Sequence, residues 1–319
     1  MTLSLATITT SGIVLTADSR QTYRNKAGMI RIGSDSAMKL FQINDRVGVV
    51  IAGRAFLSDA NGVTKNISWF IEEFKKKELK EKLSVKEIAQ KLNDYLSGIF
   101  VDKEMTQLEN QIKEEIKKQG GADLKIKDRD GNLLPYSYKT KDGKTIENVG
   151  SIETVNLVVA GIDSDLTGRA YSVYIPKGVI LERDTKTGGA MWIGQTDVLV
   201  RIVKGFAPEI SVLDFVKEAI TKDKTATDKQ LNQLEYIINW GTMTLQDAID
   251  FGILITRTTE SIQRFSDGTF LSPGGITGVG GDIDVAVITP EKGFVWLNKK
   301  QLTAEDRKID LDKYENLKN

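Results

Sequence analysis

The alternation of apolar and polar residues predicts β-hairpins at the start of the chain. The predicted strands are residues 2–8, 13–17, 37–43 and 47–52, joined by turns at 9–12 and 44–46. The strand segments are rich in apolar and β-branched residues, and the turns carry the Gly, Asn and Asp that favour chain reversal. Between the two strand pairs, the polar segment 23–35 predicts a loop or a short irregular hairpin.

Groups of predicted helices and groups of predicted strands make up the rest of the chain. The predicted helices cover about residues 55–77, 84–100, 104–118, 198–204, 211–221, 227–240 and 244–265. The later predicted strands are residues 155–163, 170–175, 179–182, 283–289 and 293–297. Ser84 and Glu87 have the spacing of a helix capping box. Polar turns near 128–132 and 139–144 predict two hairpins.

This order of elements predicts the fold class, because strands and helices occur in separate groups rather than as βαβ units. We expect an α+β protein, a four-layer αββα sandwich of two antiparallel sheets flanked by helices. No internal repeat and no linker rich in Pro or Ser divides the sequence. We therefore predict a single domain over 1–319, with an insertion at 103–150 made of a charged helix and polar hairpins.

Composition limits the possible partners and kinds of active site, and it leaves the predicted fold unchanged. The 319 residues are 40% hydrophobic, and 44 basic residues balance 44 acidic ones. This balance predicts no nucleic-acid partner, and the lack of a charged tail or long apolar run predicts no membrane association. The start has no pattern of a signal peptide, so we expect a cytoplasmic protein.

The chain contains no Cys and no His. Disulfides, thiolate nucleophiles and Cys-ligated zinc are thereby excluded, as is a Ser-His-Asp triad. Carboxylates, lysines and the α-amino group remain as acids and bases. Of these, the α-amine titrates nearest neutrality, with a reference pKa of about 7.7–8.0.

A hydroxyl residue, Thr2, directly follows Met1. Removal of Met1, which an aminopeptidase can do before so small a residue, would expose Thr2 as the new N-terminus. A threonine with a free α-amine holds a nucleophile and a general base within one residue. The start of the chain therefore suggests an N-terminal nucleophile.

Three other positions in this region could serve such a nucleophile. Asp18 and Lys39 each adjoin an apolar strand, where an ion pair could favour an alkoxide-like oxygen, although isolated charges are ordinarily surface residues. Gly53 lies between a strand and a helical pattern, where a bare N–H could face a carbonyl oxygen or simply form a turn.

Two other motifs partly match known phosphate-binding and calcium-binding loops, but each lacks required residues. The glycine-rich segment 274–281 lacks the Lys-Ser/Thr of a phosphate-binding loop and precedes a strand, so a connecting loop fits better. The acidic turn at 128–132 lacks the downstream ligands of a calcium loop. We predict no cofactor and no metal.

The same motifs taken together resemble a known family. Thr2, the segment Thr-Ala-Asp18-Ser-Arg-Gln-Thr22, Lys39-Leu-Phe-Gln-Ile and Ile-Ala-Gly53 are similar to the proteasome β-subunit-like family, the N-terminal nucleophile hydrolases that include bacterial ring peptidases. The similarity returns at 155–163 and at 280–289.

The resemblance implies roles for these residues. Thr2 would be the nucleophile, Asp18 would orient Lys39, and the Lys39 charge would lower the pKa of the Thr2 hydroxyl. The N–H of Gly53 would form the oxyanion hole. Substrate would be bound by Thr22, through its backbone, and by a pocket that includes Gln21, Ile51 and Ala55.

The sequence departs from the family in the residues expected to support the site. Asp267 is the best match for a supporting Asp, Ser272 is a weak match for a Ser, and Gln195 or Thr196 replaces another Ser. These changes affect the expected rate and specificity more than the reaction type.

The resemblance thus predicts a threonine-type endopeptidase acting on peptides or unfolded proteins. It also implies a homo-oligomer, with a ring and an ATP-driven unfoldase as further possibilities. Two alternatives remain open at this point: a catalytically silent structural subunit, and an amidase or acyltransferase with one dedicated substrate.

Overall fold

A computed structural model describes residues 2–59, 61–79, 82–271, 273–274, 277–304 and 307–309. The first strands are Leu3–Thr9 (β1), Gly12–Ala17 (β2), Gln21–Arg24 (β3), Ile30–Ser34 (β4), Leu40–Asn44 (β5), Val47–Gly53 (β6), Phe56–Ser58 (β7) and Thr64–Asn66 (β8). Two helices follow, Ile67–Glu78 (α1) and Val85–Gln119 (α2).

The middle of the chain is built of strands. They are Ala122–Ile126 (β9), Leu133–Lys139 (β10), Thr145–Ser151 (β11), Val155–Ile162 (β12), Gly168–Ile175 (β13), Gly178–Asp184 (β14) and Gly189–Gly194 (β15).

The last part begins with helices and ends with strands. The helices are Asp197–Lys204 (α3), Asp214–Lys222 (α4), Lys224–Leu231 (α5) and Leu245–Phe265 (α6), with short 3₁₀ turns at Pro208–Val212, Asn232–Leu234 and Trp240–Thr242. The final strands are Asp284–Thr289 (β16), Gly293–Asn298 (β17), Leu302–Ala304 (β18) and Arg307–Ile309 (β19).

Two five-stranded antiparallel sheets form the centre of the molecule. The first has the strand order β15-β1-β2-β16-β17 and the second β14-β13-β12-β6-β5. Their inner faces bury one apolar cluster that includes Leu15, Val50 and Val158. The strands alternate inward- and outward-facing residues, so a second apolar set on each sheet must be covered by helices.

Helices cover both outer faces. Phe70 and Leu92, from α1 and α2, pack on the second sheet, while Leu199 and Ile255, from α3 and α6, pack on the first. Together these helices and sheets form the four layers α, β, β and α. The predicted α+β sandwich is confirmed.

The segment 103–150, predicted as an insertion, consists of the second half of α2 and the three-stranded sheet β11-β10-β9. The small sheet packs on α2 through an apolar cluster that includes Ile112, Ile116 and Leu134. Both predicted polar hairpins are present, because β9–β10 and β10–β11 pair in antiparallel fashion. The boundaries of a single domain and of an insertion stay predictions.

Four predicted helices were wrong in extent. The segment predicted as a helix from residue 55 begins with the hairpin β7–β8, and α1 starts only at Ile67, where the Asn66 side chain caps it. The predicted helices 84–100 and 104–118 are one helix, because buried Val101 and Met105 continue its apolar face between them. The helix predicted over 227–240 ends at Leu231.

Candidate active site

Strand register brings the N-terminal motifs together. Ser4 pairs with Ala17 in the β1–β2 hairpin, so the residue before β1 lies beside the residue after β2. These are Thr2, which is buried, and Asp18, which is fully buried. On the second sheet, the Ile51 N–H donates to the carbonyl oxygen of Lys39 at 2.9 Å, which places Lys39 beside β6.

The Asp18 carboxylate is the electrostatic centre of this arrangement. Its Oδ1 accepts hydrogen bonds from Lys39 Nζ at 2.8 Å and from the Leu3 N–H at 3.1 Å. Its Oδ2 accepts from the N–H groups of Arg20 at 3.1 Å and Gly280 at 3.0 Å. Four donors therefore fix an otherwise costly buried charge.

Lys39 is the cation of a buried pair. Burial lowers the pKa of its ammonium below the ordinary value for lysine, and the adjacent Asp18 carboxylate opposes that shift. Lys39 Nζ also donates to the Arg20 carbonyl oxygen. These two partners hold the ammonium in one position.

A cleft of about 690 Å³ joins the predicted residues. It is lined by Thr2, Lys39 and Gly53 and by the four predicted substrate contacts Gln21, Thr22, Ile51 and Ala55. Asp18 lies behind Lys39 rather than in the lining. These residues are thus assembled at one cleft or directly behind it.

Gly53 occupies a conformation that suits glycine alone. Its φ is +88°, in the left-handed region, and an added Cβ would lie 2.3 Å from the carbonyl oxygen of Thr154. The turn after β6 therefore requires glycine at this position. Gly53 itself lines the cleft.

Replacement of Gly53 by alanine is expected to destabilise the protein by more than about 1 kcal/mol, because the positive φ and the close contact both oppose a side chain. Urea unfolding measures this. Gly62 is the matched control, since it has a φ of +79° but no atom within 4 Å of an added Cβ. Equal losses in the two alanine variants would contradict the role of the Thr154 contact.

The backbone at Thr2 is held by a second glycine turn. The Gln195 N–H donates to the Thr2 carbonyl oxygen at 2.6 Å, and an added Cβ on Gly194 would lie 1.9 Å from that oxygen. The side chain of Gln195 accepts from Gln263 Nε2 at 2.8 Å. Gln195 therefore links Thr2 to α6, a contact that a shorter serine side chain does not provide.

A second ion pair, which the sequence analysis missed, lies next to the first. Lys300 Nζ donates to Asp284 Oδ2 at 2.5 Å and to Ser19 Oγ at 2.5 Å. Both charged side chains are buried, and burial raises the pKa of Asp284. Ser19 directly follows Asp18, so this pair supports the loop that carries the Asp18 carboxylate. Asp284 lies in a motif that carried the resemblance, whereas Lys300 had no sequence signal.

Asp267 is not brought to the cleft. It lies just beyond α6 with an exposed side chain, and its carbonyl oxygen accepts from the Gly274 N–H at 2.6 Å. The position that reaches Asp18 from this part of the chain is instead the Gly280 N–H. We therefore correct the prediction that Asp267 is the Asp that supports the site. Ser272 lies outside the described residues, as does Met1.

The described residues include no candidate metal site and no candidate membrane-spanning helix. No cluster of acidic side chains there could hold a metal ion. None of the helices described has the length and apolar character needed to cross a membrane.

A model of a known protein family matches the part of the chain that carries the N-terminal motifs. The model of the proteasome subunit family matches residues 2–138. No curated protein sequence matches the chain.

Among solved structures, Anbu from Hyphomicrobium sp. strain MC1 is similar with 14% identity, a TM-score of 0.44, and coverage of 99% of this chain and 91% of that one. Anbu from Yersinia bercovieri, described as an ancestral beta-subunit, is similar with 13% identity, a TM-score of 0.45, and coverage of 93% and 88%.

The matched range contains Thr2, Asp18, Lys39 and Gly53, the residues on which the resemblance was based. The predicted resemblance to the proteasome subunit family is therefore confirmed over residues 2–138.

Proposed function

We propose that this protein is a threonine-type endopeptidase whose nucleophile is Thr2 after cleavage of the Met1–Thr2 bond. The single observation that carries the proposal is the convergence of Thr2 and Lys39 on one cleft, with the Asp18 carboxylate bonded to both Lys39 Nζ and the Leu3 N–H. An ordinary structural ion pair has no need of an adjacent hydroxyl nucleophile.

The proposed reaction is acyl transfer. The freed α-amine of Thr2 takes the proton from Thr2 Oγ as Oγ attacks the peptide carbonyl carbon, and the Gly53 N–H stabilises the oxyanion. The protonated amine then gives its proton to the leaving amine as the C–N bond breaks. Water, activated by the same amine, hydrolyses the ester and restores Thr2.

Lys39 contributes charge rather than a transferred proton. Its ammonium stabilises negative charge that develops on Thr2 Oγ, and Asp18 holds it in place. This role requires Lys39 to stay protonated while the α-amine stays neutral. Activity is therefore expected only in the pH range where both conditions hold.

The activity is expected to have a bell-shaped pH dependence. On the acidic side it falls as the α-amine becomes protonated, near its reference pKa of about 7.7–8.0. On the alkaline side it falls as Lys39 loses its proton, at a pH below that for an ordinary lysine because burial lowers the pKa of Lys39. Initial rates of peptide hydrolysis from pH 5 to 11 measure both limbs, and a rate that keeps rising to pH 11 would contradict the role of charged Lys39.

Hydrolysis of a panel of short fluorogenic peptides tests the function itself. Turnover of several unrelated peptides supports a peptidase. No turnover of any peptide, with Met1 removed, would favour a silent subunit or an enzyme with one dedicated substrate.

We also propose that several copies assemble, as the family resemblance implies, and that peptides or unfolded proteins reach the cleft within that assembly. Exposed apolar residues in the part of the chain from α4 to α6 support this, among them Phe215, Ile237 and Phe265. A ring, an unfoldase partner and a cytoplasmic location belong to the same proposal.

A further inference from the structure

One wall of the cleft comes from α2, from the last residue of β11 and from the segment after β11. The lining residues contributed by these elements are Glu104, Gln107, Leu108, Gln111, Ser151, Ile152 and Glu153. Most of them fall in or next to the segment 103–150. This segment therefore contacts the space where the substrate would lie.

An ion pair joins that wall to the turn at Gly53. Arg54 Nη2 donates to Glu104 Oε1 at 2.8 Å, and Arg54 Nη1 lies 2.8 Å from Glu104 Oε2. Both side chains are 23% exposed. Arg54 Nε also donates to the Phe56 carbonyl oxygen at 2.9 Å, so the guanidinium is held in one orientation.

The Arg54–Glu104 pair sets the net charge of the cleft next to the Gly53 N–H, the candidate oxyanion donor. Lys39 is neutralised by Asp18, and Arg54 is neutralised by Glu104. The other charged lining residues, Arg24 and Glu153, have opposite signs. Without Glu104, the Arg54 guanidinium would present an unbalanced positive charge to the substrate.

We infer that Glu104 is a specificity-determining residue that masks Arg54, so that the cleft selects peptides with neutral side chains there. The inference rests on the proposed function and names its substrate class. Apolar lining by Ile51, Leu108 and Ile152 agrees with this preference. Removing either partner exposes the charge of the other, so the two single substitutions shift selectivity in opposite directions.

Binding in a Thr2→Ala background tests this without requiring turnover. Three fluorescent peptides that differ at one position, with a neutral, an acidic or a basic side chain, are titrated by anisotropy. Glu104→Gln is expected to favour binding of the acidic peptide over the neutral one by about tenfold. Arg54→Gln is expected to favour the basic peptide by a similar factor. A tenfold ratio is at the low end of the effects expected for two charges a few ångströms apart in a cleft that water partly fills. The double variant should return to the neutral preference.

Glu109→Gln is the matched control, because Glu109 pairs with Lys113 on the same helix and does not line the cleft. A uniform loss of affinity for all three peptides, or no change in their order, would overturn the inference. Either result is distinguishable from failure of the proposed function, which would appear as a wild-type protein without peptide hydrolysis.

Discussion

The Thr2→Ala variant is expected to lose peptide hydrolysis by at least about 1000-fold, because the other hydroxyl residues that line the cleft, Thr22, Tyr23 and Ser151, have no α-amine of their own to act as a base. Removal of a nucleophile leaves only the contribution of binding and the oxyanion donor. Thr2→Ser retains a hydroxyl and an α-amine, so we expect measurable activity in that variant. Initial rates with a fluorogenic peptide provide the comparison.

The contact of Thr2 with Gln195 is expected to persist in the Thr2→Ala variant, since it uses the backbone carbonyl oxygen. Thr10→Ala is the control, because Thr10 is an exposed threonine in the β1–β2 turn. If the Thr2→Ala protein hydrolysed peptides at the wild-type rate, another residue would have to be the nucleophile.

Asp18→Asn is expected to have the largest effect on stability. The substitution removes the partner of a buried ammonium, and breaking a buried pair in this way costs about 3–5 kcal/mol. The amide also places a donor among the four donors that now face the Asp18 oxygens. Activity should be lost as well, since Lys39 would no longer be held in position.

The double variant Asp18→Asn/Lys39→Met separates the two effects. It removes the unpaired charge and should recover part of the lost unfolding free energy, while hydrolysis stays absent. Urea unfolding and peptide hydrolysis are measured on the same preparations. Full stability of the Asp18→Asn single variant would show that the pair is not a buried electrostatic contact.

Most of the fold could be predicted from the sequence, because its strands are rich in apolar and β-branched residues and its turns carry Gly, Asn and Asp. The β1–β2 and β5–β6 pairs follow this pattern, and their register brings Thr2 and Lys39 to the cleft. The errors arose where local pattern competes with tertiary contacts. The hairpin before α1 and the uninterrupted α2 depend on packing against distant residues.

The supporting contacts of the site could not be predicted in the same way. Lys300 pairs with Asp284 and Ser19 across a sequence separation of up to 281 residues, and Glu104 meets Arg54 across 50. A single charged residue forms no repeating pattern in the sequence, so its distant partner could not be predicted. Asp267 failed for the opposite reason: its neighbourhood in sequence resembled the family, but its place just after the end of α6 leaves it exposed.

The most direct test of the N-terminal nucleophile is the intact mass of the purified protein before and after treatment with a threonine-reactive β-lactone. The expected result is a chain that begins at Thr2 and gains one inhibitor mass, with no gain in the Thr2→Ala variant. A chain that begins at Thr2 and gains no inhibitor mass, or gains it equally in the Thr2→Ala variant, would contradict the proposal.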